Sequence, residues 1–368
     1  MKFALFSALI FVAFQTVSSQ EIPERGQFSL TDFYDYDPDL ERKVDEVFNT
    51  LNDTLIVGQL IVPAVGKHGK ETTHVVELAE KGMVGGVLLL NGNVTSFSNF
   101  VTQFDSIANV NGYLRPIYSA DAEPTLIRYK IKETTPVPKT NEIKTPEEVT
   151  EVAKTISKDL NAIGITQNFA PVIDASPNQT VSNRSFGLNM DTVINFSNLF
   201  IEETQNNQII ATAKHFPGHG FVQGDTHKQL VYIDGEMKEV RNYVPVIENG
   251  VLSIMVAHIA VTNNESYDTE GLPSTCSRKI VTDLLKGELD FRGLVITDAM
   301  NMGGVREVPN SGLKAIMAGC DQLLMPVEEM DDVYDILAEM KVNEDFRQQV
   351  YTSVKKIIRL KICLGIVE

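Results

Sequence analysis

The sequence predicts an α/β fold, a (β/α)₈ (TIM) barrel that forms a single large domain. Short apolar runs recur along the chain, and each is followed by a polar turn and then by a segment with helical spacing. The runs are apolar almost throughout, which is typical of parallel strands buried on both faces. A barrel of this kind takes roughly 250 residues, so a chain of 368 residues can hold one together with insertions.

Eight apolar runs are the predicted strands. They span residues 58–65, 84–90, 116–120, 165–173, 209–213, 252–257, 294–297 and 322–325. Segments with helical spacing are predicted at 72–81, 145–160, 240–248, 280–289, 312–318, 333–340 and 345–364. The clearest helix start is Thr145, an N-cap residue followed by Pro146 and two glutamates. An open, doubly wound sheet is the alternative fold, because sequence alone does not fix the number of strands.

The net charge argues against a nucleic-acid partner, and the cysteine content argues against a disulfide framework. The formal net charge is −17, which would repel a phosphate backbone, so we expect no nucleic-acid partner. The three cysteines, Cys276, Cys320 and Cys363, are an odd and scattered set. They form no disulfide framework, and we predict buried free thiols.

The N-terminal residues have the layout of a signal peptide. Met1 and Lys2 give a positive start, a mainly apolar run follows up to Phe14, and small residues stand at Ser18 and Ser19. The apolar run is too short to span a bilayer, so we expect cleavage rather than anchoring. The prediction is a signal peptide at 1–19, a folded domain at 20–368, no membrane span after cleavage, and a secreted or periplasmic location.

Polar residues follow five of the predicted strands. Asp121, Asp174, His258 and Asp298 each come directly after a strand, and Lys214 with His215 follows the run 209–213. Active sites of such barrels lie at the carboxyl ends of the strands. Four of the six histidines fall between residues 215 and 258, which favours one shared site.

Several segments together resemble glycoside hydrolase family 3, in its β-N-acetylhexosaminidase form. The stretch Lys-His-Phe-Pro-Gly-His-Gly at 214–220, followed by Asp-Thr-His at 225–227, is similar to that family's signature. Val-Ile-Thr-Asp-Ala-Met-Asn-Met at 295–302 is similar to its nucleophile segment. Segments 169–174 and 183–186 match two further blocks in the same order, so the resemblance covers about 55–326.

The resemblance implies a retaining glycosidase acting on terminal β-linked N-acetylglucosamine, as in peptidoglycan fragments. Asp298 would be the nucleophile, His227 the acid/base, and Asp225 the residue that orients the imidazole. Such a reaction needs an attacking carboxylate and a proton donor, and imidazole titrates near neutral pH. The implied sugar-binding residues are Asp121, Arg184, Lys214 and His215, with carbohydrate as the partner and no cofactor.

One stretch departs from the family pattern. Members carry a glycine pair and an arginine after the acids of the third strand, where this chain has Pro124, Thr125 and a shifted Arg128. The departure affects recognition of the sugar on that side and leaves the expected catalytic pair intact.

Other interpretations remain open for single residues and for the whole chain. Asp298 is also a good helix N-cap residue, Asp225 and His227 could form a solvated turn, and Arg184 could tie down its loop instead of binding sugar. A metal-dependent barrel hydrolase would use the clustered histidines as ligands. Its usual His-x-His after the first strand is missing here, and Lys214 would repel a cation, so we expect no metal. A catalytically silent sugar-binding protein is the third possibility.

Overall fold

A computed structural model describes residues 27–175, 177–178 and 181–367. The predicted signal peptide lies outside these residues. The strands are β1 (Ile61–Val62), β2 (Ala64–Val65), β3 (Gly86–Leu89), β4 (Gly92–Asn93), β5 (Ile117–Ala120), β6 (Ile131–Lys132), β7 (Gln167–Asn168), β8 (Ile210–Phe216), β9 (Val231–Asp234), β10 (Ser253–Val256), β11 (Ile259–Thr262), β12 (Leu294–Thr297) and β13 (Leu323–Leu324).

The helices pack around these strands. They are α1 (Pro38–Phe48), α2 (Asp53–Gly58), α3 (Thr72–Glu80), α4 (Val94–Asn111), α5 (Ile127–Lys130), α6 (Pro146–Ile163), α7 (Met190–Asn206), α8 (Tyr243–Glu248), α9 (Ser311–Ala318), α10 (Glu329–Val342) and α11 (Glu344–Cys363), with a π-helix at Lys279–Glu288. In the described part of the chain, no helix combines the length and apolar character needed to cross a bilayer.

A curled parallel sheet of seven strands is the centre of the fold. Its strand order is β12-β10-β8-β7-β5-β3-β2, and every neighbouring pair is parallel. Outside this sheet, β1 pairs in parallel with β13, and Ile296 of β12 bridges Gln322. The predicted α/β class with a parallel sheet is therefore confirmed.

Both faces of the sheet are covered, as the apolar strands predicted. One face packs a small cluster that includes Val62, Leu88, Phe169 and Ile296, and the other packs against the helices. Burial on both faces explains why the strands lack alternation of apolar and polar residues.

Several element bounds differ from the predictions. The run 58–65 begins in α2, and its strand portion starts only at Ile61. Only two residues of the run 165–173, those of β7, form a strand. The next strand was predicted to end at residue 213, but β8 continues to Phe216. Thr145 caps α6 as predicted, its hydroxyl accepting the N–H of Glu148 at 3.2 Å.

Candidate active site

The candidate residues lie at one edge of the sheet. Asp121 follows β5, Lys214 and His215 lie near the carboxyl end of β8, His258 lies just beyond β10, and Asp298 follows β12. Because the strands are parallel, their carboxyl ends lie along the same edge. The register pairs Met255 of β10 with Lys214 on one side and Ile296 on the other.

A network of ion pairs joins β5, β8 and the loop that carries Arg184. The Lys214 Nζ lies 2.7 Å from Glu123 Oε1 and 3.1 Å from Asp121 Oδ1. Arg184 forms a bidentate pair with Glu123, with Nε at 2.8 Å and a terminal nitrogen at 2.6 Å. Glu123 was not among the predicted binding residues, although it stands only two positions after Asp121. Arg184 therefore does tie down its loop, and it does so inside the site.

Charge complementarity keeps these groups ionised despite their burial. Burial opposes ionisation of both carboxyls, but the neighbouring cations outweigh it. They hold the pKa of Asp121 far below its usual range and lower that of Glu123 to about 2. Burial likewise opposes the charge of Lys214, yet the two carboxylates raise its pKa. Asp121 remains 22% exposed, whereas the side chains of Glu123 and Lys214 are almost fully covered. Asp121 is thus the carboxylate of this network that a ligand can reach.

Lys130, rather than Arg128, is the second cation beside Asp121. The Lys130 Nζ lies 3.4 Å from Asp121 Oδ2. Arg128 points away into solvent, where its guanidinium lies 4.6 Å from the ring centroid of Tyr129. The two residues are two positions apart in the short helix α5 and therefore face different directions. The departure from the family pattern thus leaves a cation next to Asp121.

A buried carboxylate fixes His215. Asp174 accepts the His215 backbone N–H at 3.1 Å, its Nδ1 at 2.7 Å, and the backbone N–H of His219 at 2.8 Å. Burial would raise the pKa of Asp174, but His215 and the N–H donors lower it. Because a carboxylate can only accept, Nδ1 of His215 carries the proton, and Nε2 is left for a ligand.

Asp298 is placed by backbone contacts at the end of β12. Its N–H donates to the Val256 carbonyl at 2.8 Å, and its Oδ1 accepts the N–H of Ala299 at 2.8 Å. The residues that follow form turns, and the next helix begins at Ser311. The helix N-cap interpretation of Asp298 is therefore wrong.

The surroundings of Asp298 favour the carboxylate form. Burial would raise its pKa, but His215, His258, the Ala299 N–H and Lys214 together lower it. His258 is buried, with Nε2 only 3.0 Å from the Ala299 carbonyl oxygen. An ionised carboxylate at a fixed strand end, with one oxygen held by a backbone amide, can act as a nucleophile.

Asp225 and His227 form a hydrogen-bonded pair on the loop between β8 and β9. Asp225 Oδ1 lies 2.8 Å from His227 Nδ1 and 3.0 Å from the His227 backbone nitrogen. The His227 side chain is 60% exposed. Burial works against ionisation of Asp225, but its bonds to His227 lower its pKa. The pair is therefore both an oriented dyad and part of a solvated loop.

Two backbone hydrogen bonds connect this loop to the segment after Asp298. The N–H of Gly303 donates to the His227 carbonyl at 3.1 Å, and the N–H of Gly304 donates to that of Thr226 at 3.0 Å. A Cβ on Gly303 would lie 2.3 Å from the Lys228 carbonyl, so only glycine allows this approach. The loop with His227 and the strand end with Asp298 are thus adjacent.

Glu239 anchors the base of the same loop and was not predicted. Its two carboxyl oxygens accept the N–H groups of Ala175 at 2.6 Å and Gly220 at 2.7 Å. Burial and nearby Asp174 raise the pKa of Glu239 to about 8. Gly218, at φ +132°, and Gly220 leave no space for a Cβ against this side chain. Gly218 and Gly220 therefore shape the turn.

The histidines do not group as metal ligands. Within residues 27–175, 177–178 and 181–367, no three His, Cys, Asp or Glu side chains are placed to hold one ion. The Nδ1 atoms of His215 and His227 each face a carboxylate instead.

The fold and site define a class: a parallel α/β protein whose strand ends carry an ionised carboxylate, an ion-paired polar network and a histidine loop. The sequence profile described as Glycosyl hydrolase family 3 N terminal domain matches residues 54–360. The chain belongs to this family, and the resemblance inferred from its motifs is confirmed.

Relatives with sequence similarity are named as hexosaminidases. The chain is 32% identical over 243 residues to "Beta-hexosaminidase A" of Pseudoalteromonas piscicida, covering 58% of this chain and 40% of that protein. It is 27% identical over 303 residues to "Beta-N-acetylglucosaminidase/beta-glucosidase" of Cellulomonas fimi, covering 77% and 53%. The chain thus spans about half the length of these relatives.

Two solved structures confirm the fold at lower identity. The family 3 β-N-acetylglucosaminidase of Paenibacillus sp. str. FPU-7 superposes with a TM-score of 0.79 at 24% identity, over 86% of this chain and 63% of that one. The β-N-acetylhexosaminidase of Beutenbergia cavernae gives 0.75 at 23% identity, over 84% and 98%.

Proposed function

We propose that this chain is a retaining β-N-acetylhexosaminidase that releases terminal β-linked N-acetylglucosamine from glycans such as peptidoglycan fragments. The observation that carries the proposal is the placement of an ionised Asp298 at a strand end beside the loop of the Asp225–His227 pair. The names of the relatives, hexosaminidases and an N-acetylglucosaminidase, support the choice of sugar.

In the first step, Asp298 attacks the anomeric carbon. Its Oδ1 is held by the Ala299 N–H, so Oδ2 is the free attacking oxygen. The bond between the anomeric carbon and the leaving oxygen breaks, and that oxygen takes a proton from Nε2 of His227. Asp225 accepts from Nδ1 and so leaves Nε2 to exchange the proton.

In the second step, the same groups reverse their roles. His227 takes a proton from water at Nε2, the water oxygen attacks the anomeric carbon, and the Asp298 carboxylate leaves. The two inversions retain the anomeric configuration. Asp121 and Lys214, together with Arg184 and His215, would bind the sugar hydroxyls, since their fixed charges form strong hydrogen bonds.

This proposal is tested by measuring the hydrolysis of 4-nitrophenyl N-acetyl-β-glucosaminide by the wild type and by the Asp298→Ala variant. We expect turnover by the wild type and loss of turnover by a variant that retains the circular dichroism of the native fold. Activity lost on chelation would favour a metal hydrolase, and sugar binding without release would favour a silent binding protein. Near-wild-type turnover by Asp298→Ala would rule out Asp298 as the nucleophile.

A second proposal concerns the fold, namely that the sheet closes fully into a barrel. We propose that β1 and β2 form one interrupted strand and that β13 closes the sheet as the eighth strand of a (β/α)₈ barrel, supported by the pairs Ile61–Leu323 and Ile296–Gln322. Closure would bring Asp121 and Asp298 around one rim. The layout of residues 1–19 supports a secreted or periplasmic enzyme, which fractionation of the producing cells would test.

A further inference from the structure

A groove with two exposed aromatic side chains runs beside the His227 loop. It has a volume of about 590 Å³, within the range of about 300–1,000 Å³ of small-ligand sites. Phe221 and Tyr232 line it and are 53% and 51% exposed. Gln223, Gln229 and Asp234 add hydrogen-bonding groups to its walls.

Both aromatic residues stand on fixed backbone. Tyr232 belongs to β9, which pairs with β11, and its neighbour Val231 points into the core. Phe221 follows Gly220, whose N–H is held by the buried Glu239. Exposed aromatic side chains at fixed positions, next to polar groups, are typical of binding surfaces.

The groove is continuous with the cleft that contains His227. Val222, Gln223 and Gln229 line both, and the second cleft also includes Asp225 and His227. In the proposed reaction His227 protonates the oxygen of the departing group. The departing group must therefore lie on the His227 side, where this groove begins.

We propose that the groove binds the leaving-group portion of the glycan, as saccharide units stacked on Phe221 and Tyr232. This inference rests on the proposed function. The apolar faces of sugar rings pack against aromatic rings, and the two glutamines can bond to hydroxyl groups. The enzyme would accordingly prefer chains with several sugars beyond the scissile bond.

Two substrates separate this groove from the reacting centre. The β-1,4-linked trisaccharide of N-acetylglucosamine extends beyond the scissile bond, whereas the 4-nitrophenyl glycoside offers only one ring. For Phe221→Ala and for Tyr232→Ala, we expect the ratio of kcat/KM on the trisaccharide to kcat/KM on the aryl glycoside to fall roughly three- to tenfold. Tyr232→Phe keeps the ring and should keep the ratio. Tyr36→Ala removes an exposed aromatic residue that does not line the groove and is the matched control.

The possible outcomes distinguish the two proposals. An unchanged ratio in both alanine variants, or the same fall in Tyr36→Ala, would overturn the groove and leave the proposed function standing. An equal loss on both substrates would mean that the residues act on the reacting centre or the fold, and would also overturn it. A wild type inactive on both substrates would refute the proposed function, and the groove assignment with it.

Discussion

Replacing His227 by alanine separates proton transfer from nucleophilic attack. If Nε2 protonates the departing oxygen, its loss should matter most where that oxygen leaves as a poor, alkoxide-like group. An activated phenol departs with little help. The first step should therefore be impaired on saccharides and much less on activated aryl glycosides.

The expected loss of turnover is larger for His227→Ala than for Asp225→Ala. Loss of a general acid or base costs roughly 10²–10⁴-fold in turnover, and we expect a loss in this range for His227→Ala on saccharides. Asp225→Ala leaves the imidazole in place but removes a 2.8 Å contact. Because this pair is exposed to water, which weakens such contacts, we expect only about a tenfold loss.

The assay combines steady-state rates with mass spectrometry. Turnover of His227→Ala is measured on a saccharide and on 2,4-dinitrophenyl N-acetyl-β-glucosaminide, with Asp225→Ala and the wild type in parallel. Since His227 would also activate water, the second step should be slow even with the activated substrate. A glycosyl-enzyme should then accumulate, visible as a mass increase on a peptide containing Asp298.

Added azide provides an independent check. It needs no general base, and the exposure of His227 leaves room for a small anion, so azide should restore turnover of His227→Ala and form a glycosyl azide. Equal losses on both substrates, with no trapped intermediate and no azide rescue, would show that His227 only binds substrate and that the donor lies elsewhere.

Two further predictions concern the ion pairs. Lys130→Met should raise KM roughly three- to tenfold with a smaller change in kcat, because Asp121 loses one of its cations. Arg128→Met should change neither KM nor kcat. Equal effects of the two variants would refute the assignment of Lys130 as the cation beside Asp121. Asp321, buried between Lys286 and Lys356 at 2.9 Å each, has a pKa of about 2, because the lysines outweigh the effect of burial. Asp321→Ala should lower the free energy of unfolding by about 3–5 kcal/mol at pH 7 in urea titrations. Because the folded-state pKa lies below the unfolded value, that difference should shrink as the pH falls from about 4 towards 2, and a constant difference would contradict it.

Elements with a local signal could be predicted from the sequence. The strand before Asp298 is a short apolar run, and the start of α6 follows from Thr145 and Pro146. Helix α4, in contrast, is rich in Ser, Thr and Asn, which are weak helix formers. It is stabilised by packing of Phe97 and Phe104 in the core, which is a tertiary effect.

The candidate site could be predicted only as far as single strand ends. The motifs placed Asp121, Lys214 and Asp298 together because parallel strands end at one edge. The pairing of Glu123 with Arg184, 61 positions away, depends on how a loop returns to the sheet. Glu239 carries no sequence signal, because it lies in a polar segment and its function comes from two backbone amides that it reaches only in the fold.

Asp298 is held by a strand end and His227 by an exposed loop, and this difference has an evolutionary consequence. Asp298 is part of the sheet edge and cannot move without disturbing β12, whereas His227 belongs to a solvated loop joined to the rest by a few hydrogen bonds. Insertions and deletions are tolerated in such loops far better than in strands. Under the proposed mechanism, a lineage could therefore exchange its proton donor by changing one surface segment while the nucleophile stays the same, so that proton transfer would be the step most open to divergence.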